Sequence, residues 1–276
     1  MIRYTGSHRG PAAATGHTRR VFLERSACLL GGIALGSAWV FDPAAGADAD
    51  PALAAETVDY PGATGTMRAF VVRRGDVAKA PGVMVIHGDR GLTPFYEDLA
   101  RRFAAAGFVA IVPDLLAPLG GTPKDPERAR AMIDGLNLDD VAQNLLATMT
   151  YLAGNRFATG EIGAVGFGWG GGLAIRLASR APALDAVVAF DPPPGTSPAG
   201  GTVSVPVLLH RKAADRALGE VPDTAGVPHE TYVYEGAVFD GGIRRAPSGV
   251  GGGNSGGEAE LAHSRTIAFL KKHLGT

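Results

Sequence analysis

The segment EIGAVGFGWGGGLAIRLASR, residues 161–180, decides how this chain is read. It opens as an apolar run suited to a buried strand. It then crosses six residues, Gly166 to Gly171, of which four are glycine, and takes up the spacing of an amphipathic helix. Two chemistries are built on a strand, a glycine-rich turn and a helix in that order. One is a nucleophile elbow, G-x-Nuc-x-G; the other is a dinucleotide-binding turn, G-x-G-x-x-G. The letters satisfy the second through Gly166, Gly168 and Gly171 and fail the first, because an elbow would place Ser or Cys where this chain has Gly168.

Outward from that turn, short β-rich runs alternate with helical periods. ETVDYP and TMRAFVVRR read as an antiparallel pair, and PGVMVIHG, GFVAIVPD, EIGAVGF, LDAVVAF, VPVLLH and HETYVYEG follow as strands. Helices are expected over FYEDLARRFAAAG, which ends on Gly107 as a left-handed cap would, and over LDDVAQNLLATMTYLAG, GGLAIRLASR and GEAELAHSRTIAFLKKHLG. Strands that are apolar throughout, each separated by a helix, imply an α/β fold in a single domain: a mostly parallel sheet covered by helices on both faces. Ligands and catalytic groups gather at the carboxyl ends of such strands. The residues to inspect are therefore His87 to Asp89, Asp114, Gly166 to Gly171, Asp191, His210 to Asp215, and Ala237 to Gly241.

Composition limits the classes available. With 276 residues, 46% hydrophobic, 19% charged and net charge -1, the chain has the profile of one globular domain plus an appendage, with no basic excess that would suit nucleic acid. The appendage is the N-terminus. HTRRVFLERSACLLGGIALGSAWVF sets Arg19 and Arg20 ahead of an uncharged apolar run from Ser26 to Phe41, which resembles a twin-arginine export signal. Small-residue cleavage sites after Ala47 or Ala49 would divide the chain into a signal and cleavage region, 1–47, and a mature domain, 48–276, located in the periplasm or outside the cell. The run is shorter than the ~20 residues a span needs, so no stable membrane anchor is expected after cleavage. Cys28 is the single cysteine and leaves with the signal; the mature domain then has neither disulfide nor thiol nucleophile.

The runs VMVIHGDRGL, EDLARRFAAAGFVAIVPDLLAPLGGTP, VGFGWGGGLA, VPVLLHRKAADRA, YVYEGAVFDGG and SRTIAFLKKHL resemble, in order from about Glu56 to Leu274, the dienelactone hydrolase family of α/β hydrolases. The resemblance implies the α/β-hydrolase fold, no cofactor, a small-molecule ester or lactone as substrate, and a Cys-His-Asp triad. Carried over residue by residue, it puts the triad acid at Asp215, the nucleophile at Gly168 and the His at Phe239, so two of three triad positions are lost. The family's thiol-controlling glutamate falls at Gly88. The oxyanion geometry needs only backbone N–H groups, implied at Trp169 and in the loop at Asp89, beside the helix that starts near Gly170.

A count independent of that alignment agrees: of seven histidines, none falls between Tyr234 and Gly257. His87 and His210 end strands on the right edge, where local hydrogen bonding is the ordinary role. The expectation is a binder of a small carboxylate or carbonyl ligand with hydrolysis lost or very weak. The alternatives are an active hydrolase with a displaced nucleophile and a dinucleotide-binding protein through Gly166, Gly168 and Gly171, with Asp191 placed for a ribose. Ser255 in GNSGG satisfies G-x-S-x-G but follows PSGVGG, which offers no preceding strand, and reads as a flexible loop. Asp89, Asp191, Asp215 and Asp240 end or closely follow strands on one edge. Such acids suit Ca or Mg, but solvent exposure or helix capping, as for Asp114, is the simpler reading, and no metal site is expected.

Overall fold

The computed structural model describes residues 52–181, 183–194, 196, 202–213, 228–235 and 255–276. Eight strands form one sheet: β1 (Leu53–Pro61), β2 (Thr66–Arg74), β3 (Ala80–Ile86), β4 (Val109–Asp114), β5 (Ala158–Phe167), β6 (Ala186–Phe190), β7 (Val207–Lys212) and β8 (His229–Tyr234). Their spatial order is β1-β2-β4-β3-β5-β6-β7-β8. β1 and β2 pair antiparallel, β2 pairs antiparallel with β4, and every pairing from β4 to β8 is parallel. The eight expected strands are thus all present.

Among the described residues there are five α-helices: α1 (Pro94–Ala105), α3 (Leu138–Ala153), α4 (Trp169–Ala178) and α5 (Ser255–Leu274) cover the sheet, and α2 (Pro126–Asp134) packs on Leu116 and Trp169. Alternate residues of each strand face opposite sides, so β3 sends Met84 and Ile86 into one apolar cluster and Val83 and Val85 into the other. The first cluster is closed by Leu145, Met149 and Leu152 of α3 and Leu173 and Leu177 of α4. The second is closed by Tyr96, Leu99 and Phe103 of α1 and Phe269 and Leu270 of α5. Parallel strands buried on both faces explain why these runs read as continuously apolar instead of alternating.

The structure adds one helix to those expected and corrects one reading. α2 was not anticipated, because its core-facing stripe is only Ala129 and Ile133. Its start is nevertheless well made: the Asp125 side chain accepts from the Glu127 N–H at 3.0 Å, and Pro126 follows at the first position, where a missing N–H costs nothing. Ser255, expected in a loop, is instead the first residue of α5.

The carboxyl edge of the sheet carries an in-register aromatic row. Phe167, Phe190, His210 and Tyr232 are successive cross-strand partners on β5 to β8. Their rings stack at centroid distances of 4.6, 4.4 and 6.1 Å, and the Arg265 guanidinium of α5 lies over Tyr232 at 3.9 Å. Cross-strand aromatic pairs of this kind stiffen the edge that carries the site.

Candidate functional site

At the end of β5 the backbone turns sharply into α4. Gly168 has φ 53° and ψ -118°, a conformation that residues with a side chain rarely adopt. Its N–H donates to the Phe190 carbonyl at 2.8 Å, and its own carbonyl accepts the N–H of Gly172 at 3.2 Å. The N–H groups of Trp169, Gly170 and Gly171 therefore have no acceptor within the helix and point out of its first turn, where the helix dipole adds positive potential.

The surrounding glycines are required by close approach. A Cβ on Gly166 would collide with the Gly170 carbonyl and lie 2.8 Å from Gly171 Cα. One on Gly170 would collide with the carbonyl oxygens of Ile86 and His87. Gly168 is different: a Cβ there would meet nothing within 4 Å. The turn thus has the strained backbone, packed flanks and open apex of a nucleophile elbow, and its apex residue has no side chain. This also accounts for Gly166 and Gly170 without a dinucleotide.

The loop after β3 packs directly against this turn. Gly88 donates its N–H to the Tyr96 hydroxyl at 2.8 Å, and a Cβ on Gly88 would lie 3.3 Å from the Phe167 carbonyl. Asp89 is half-exposed and its carboxylate pairs with Arg130 of α2 at 2.9 Å. Beyond it the loop is clamped. The buried Asp114 carboxylate accepts from the N–H groups of Leu116 and Thr122 and from the Thr122 hydroxyl, at 2.8 to 3.0 Å, while Thr122 Oγ1 accepts from the Leu92 N–H at 3.0 Å. Asp114 is consequently neither a helix cap nor solvent-facing, as its sequence suggested, but the anchor of two loops at this edge.

Both strand-end histidines are spoken for. His87, fully buried, accepts the Leu115 N–H at Nε2 (3.1 Å); its proton must sit on Nδ1, which donates to the Gly88 carbonyl at 2.9 Å. Burial lowers its pKa against an opposing pull from Asp114. His210 is also fully buried, with Nδ1 2.8 Å from the Tyr234 hydroxyl and Nε2 3.0 Å from Thr266 Oγ1. The Thr266 hydroxyl donates to the Ala262 carbonyl, so it accepts from Nε2–H, and the Tyr234 hydroxyl donates to Nδ1 while accepting from Arg265 at 3.1 Å. Burial, aided by the Arg265 charge, lowers the His210 pKa to about 3.

Asp191 holds φ 42°, the one non-glycine residue with positive φ among those described. Its carboxylate accepts the Lys212 N–H at 2.8 Å and lies 3.5 Å from the Lys212 ammonium. That engagement removes it from the ribose role that the dinucleotide reading required. With Asp89 on Arg130 and Asp191 on Lys212, the two described acids of the expected carboxylate group are each neutralised by a cation, and no cluster of three or more metal-ligating side chains occurs among the described residues. Asp215, Phe239 and Asp240 lie outside the described residues. What the sequence reading missed was the Asp114 and Thr122 clamp, whose only linear trace is an acid at the end of a strand.

The family model of the dienelactone hydrolase family matches residues 67–274. Among curated proteins, a "Putative carboxymethylenebutenolidase" of Azospirillum brasilense is 29% identical over 238 residues, covering 78% of this chain and 96% of that protein. The carboxymethylenebutenolidase of Pseudomonas sp. strain P51 is 35% identical over 109 residues, 37% of this chain and 46% of the relative, so the match spans about half of that enzyme. Among solved structures, a "Putative Dienelactone Hydrolase" from Klebsiella pneumoniae superposes with a TM-score of 0.62 at 22% identity, covering 79% of this chain and 98% of its own. Sheet order, elbow and matched span agree, and the chain belongs to the dienelactone hydrolase family.

Proposed function

We propose that this protein binds a small carbonyl- or carboxylate-bearing molecule at the elbow, with the covalent ester and lactone hydrolysis of its family lost or severely weakened. The observation that carries this reading is Gly168: the backbone retains the elbow conformation while the apex offers no atom to attack a carbonyl. The first-turn N–H groups of α4 supply electrostatic stabilisation of an oxyanion whether or not a nucleophile is present. His87 and His210 support the reading from the other side. Each uses both ring nitrogens in buried hydrogen bonds, and neither is poised as a general base. Carried over from the family, Asp215 is the remaining triad acid and Phe239 stands at the His position. Export through the twin-arginine route, with residues 1–47 removed, belongs to the same proposal.

Purified protein is expected to hydrolyse activated esters and dienelactone no faster than its Asp215→Asn variant. Residual acceleration from the oxyanion donors alone is compatible with this, since such sites retain roughly 10³ to 10⁴ over water without a triad. The decisive variant is Gly168→Cys with Phe239→His, which should restore thiol-dependent turnover that iodoacetamide abolishes. Burst kinetics and a covalent acyl adduct on the unmodified protein would overturn the reading, and mass spectrometry of the adduct would name the nucleophile.

A further inference from the structure

Helices cover both faces of the sheet, but among the described residues its β1 edge has no neighbour. β1 runs for nine residues, pairs with β2 alone, and holds one continuous register along its whole length. Two hydrogen bonds that bracket this pairing fix which backbone groups point outward. Gly62 N–H donates to the Gly65 carbonyl at 2.8 Å, and Gly75 N–H donates to the Ala52 carbonyl at 2.7 Å. Opposed residues in an antiparallel ladder alternate between bonded and non-bonded pairs, so Ala54, Glu56, Val58 and Tyr60 bond inward to β2. The N–H and C=O groups of Leu53, Ala55, Thr57 and Asp59 therefore face away from the sheet, and no other described backbone meets them.

An outward row of this length is a template for another strand unless something blunts it: a lysine, a proline, a bulge or a short strand. β1 has none of these between Leu53 and Tyr60. Ala54, Ala55, Glu56 and Thr57 are exposed, and three of the four are small or β-branched, which suits a close approach of backbones. The two acids stand on opposite faces, since successive side chains alternate. Val58 and Tyr60 share the face of Glu56 and pack on the cluster beneath α3, whereas Asp59 lies on the other face and is paired with Arg68 of β2 at 2.8 Å.

We propose that β1 is a homodimerisation edge, pairing antiparallel with β1 of a second copy about a two-fold axis at Thr57 and joining two sheets into one. Register and charge select this occupant. Thr57 is the midpoint of β1, so an axis there is the one that engages all nine residues. It sets Glu56 opposite Val58 of the second copy, Asp59 opposite Ala55, and Thr57 opposite Thr57, and no carboxylate faces its own copy. An axis one residue earlier would oppose Glu56 to itself, which is destabilising. A contact made by a single strand pair is at the small end of stable interfaces, and a dissociation constant in the micromolar range follows.

Sedimentation velocity of the full-length protein over a range of concentrations tests this, with hydrogen exchange of the β1 amides alongside. The parent should pass from monomer to dimer in the micromolar range, and exchange at Ala55 and Thr57 should slow as it does. Thr57→Pro removes an outward N–H and spares the ladder to β2, so it should raise the dissociation constant at least about tenfold with the circular dichroism spectrum unchanged. Thr57→Asp and Thr57→Lys should each raise it about two- to fivefold, because either charge faces its own copy across the axis. An equimolar mixture of those two variants should recover the affinity of the parent, a result that a folding defect cannot produce. A parent that stays monomeric at several hundred micromolar overturns the proposal, and slow β1 exchange in that monomer would assign the edge to another segment of the same chain. A dimer indifferent to Thr57→Pro overturns it too, as does a mixture that associates no more tightly than either charged variant alone.

Discussion

Alanine at Gly168 and alanine at Gly166 should have very different costs, although the residues are two apart in one turn. At Gly168 an added methyl meets open space, so the penalty is the backbone term alone. An L-residue held at positive φ costs about 1–2 kcal/mol. For a domain of this size each kcal/mol moves the melting temperature by about 2–4 °C, and Gly168→Ala should melt roughly 2–8 °C lower. At Gly166 the methyl would collide with the Gly170 carbonyl and stand 2.8 Å from Gly171 Cα, against an ordinary carbon–carbon contact of about 3.5–4.0 Å. Both obstacles are backbone atoms of a helix that is itself pressed on Ile86 and His87, so the clash is relieved only by lifting α4 from the sheet. A cost above about 3 kcal/mol follows, at or beyond the upper end of ordinary overpacking. Urea unfolding followed by circular dichroism, with thermal melts alongside, separates the two. Equal destabilisation by the two variants, or a Gly166→Ala protein as stable as the parent, would refute the elbow geometry. A companion variant, Gly168→Cys in a Cys28→Ser background, should be as stable as Gly168→Ala and react readily with iodoacetamide at the helix terminus.

Three further outcomes are expected. His210 has a folded pKa of about 3 against 6.5 when unfolded, so the unfolded chain binds the extra proton and stability falls as pH drops from 6.5 towards 3. At pH 4.5 the loss from this residue is about 3 kcal/mol, at ~1.4 kcal/mol per unit. Burial lowers the His263 pKa to about 4, which acts in the same direction. Urea midpoints at pH 7 and 4.5 should differ accordingly, and His210→Gln should flatten that dependence; a flat profile in the parent refutes the assignment. Thr122→Val removes the Leu92 acceptor and one donor to buried Asp114, and should cost about 1–3 kcal/mol and speed amide exchange in residues 88–92; unaltered exchange would remove the clamp. Arg19→Lys with Arg20→Lys should hold a precursor in the cytoplasm, and unchanged export would remove the twin-arginine proposal.

The sequence by itself determined the elements whose signals are local. Among the described residues, the eight strands and four of the five α-helices were legible because parallel strands buried on both faces are unbroken apolar runs, and because Gly107 and the turn at Gly166 to Gly171 punctuate them. The absence of a side chain at Gly168 was equally plain. α2 was not legible: it buries little, and its Asp125 and Pro126 start signal resembles an ordinary turn until Leu116 and Trp169 are present to receive Ile133 and Ala129. Only the tertiary structure decided that Gly168 keeps an elbow conformation, since φ 53° follows from the packing of α4 on β3 and β5 and not from any residue letter. It likewise decided the state of the ionisable groups. His210 is satisfied by Thr266, 56 residues away, and although the partners of Asp114 are as near as Leu116 and Thr122, the loop after β3 joins them only where the Leu92 N–H meets Thr122 Oγ1. Burial and hydrogen-bond partners are set by chain segments distant in sequence, and the chemistry of a strand-end His or Asp depends on them more than on its neighbours along the chain.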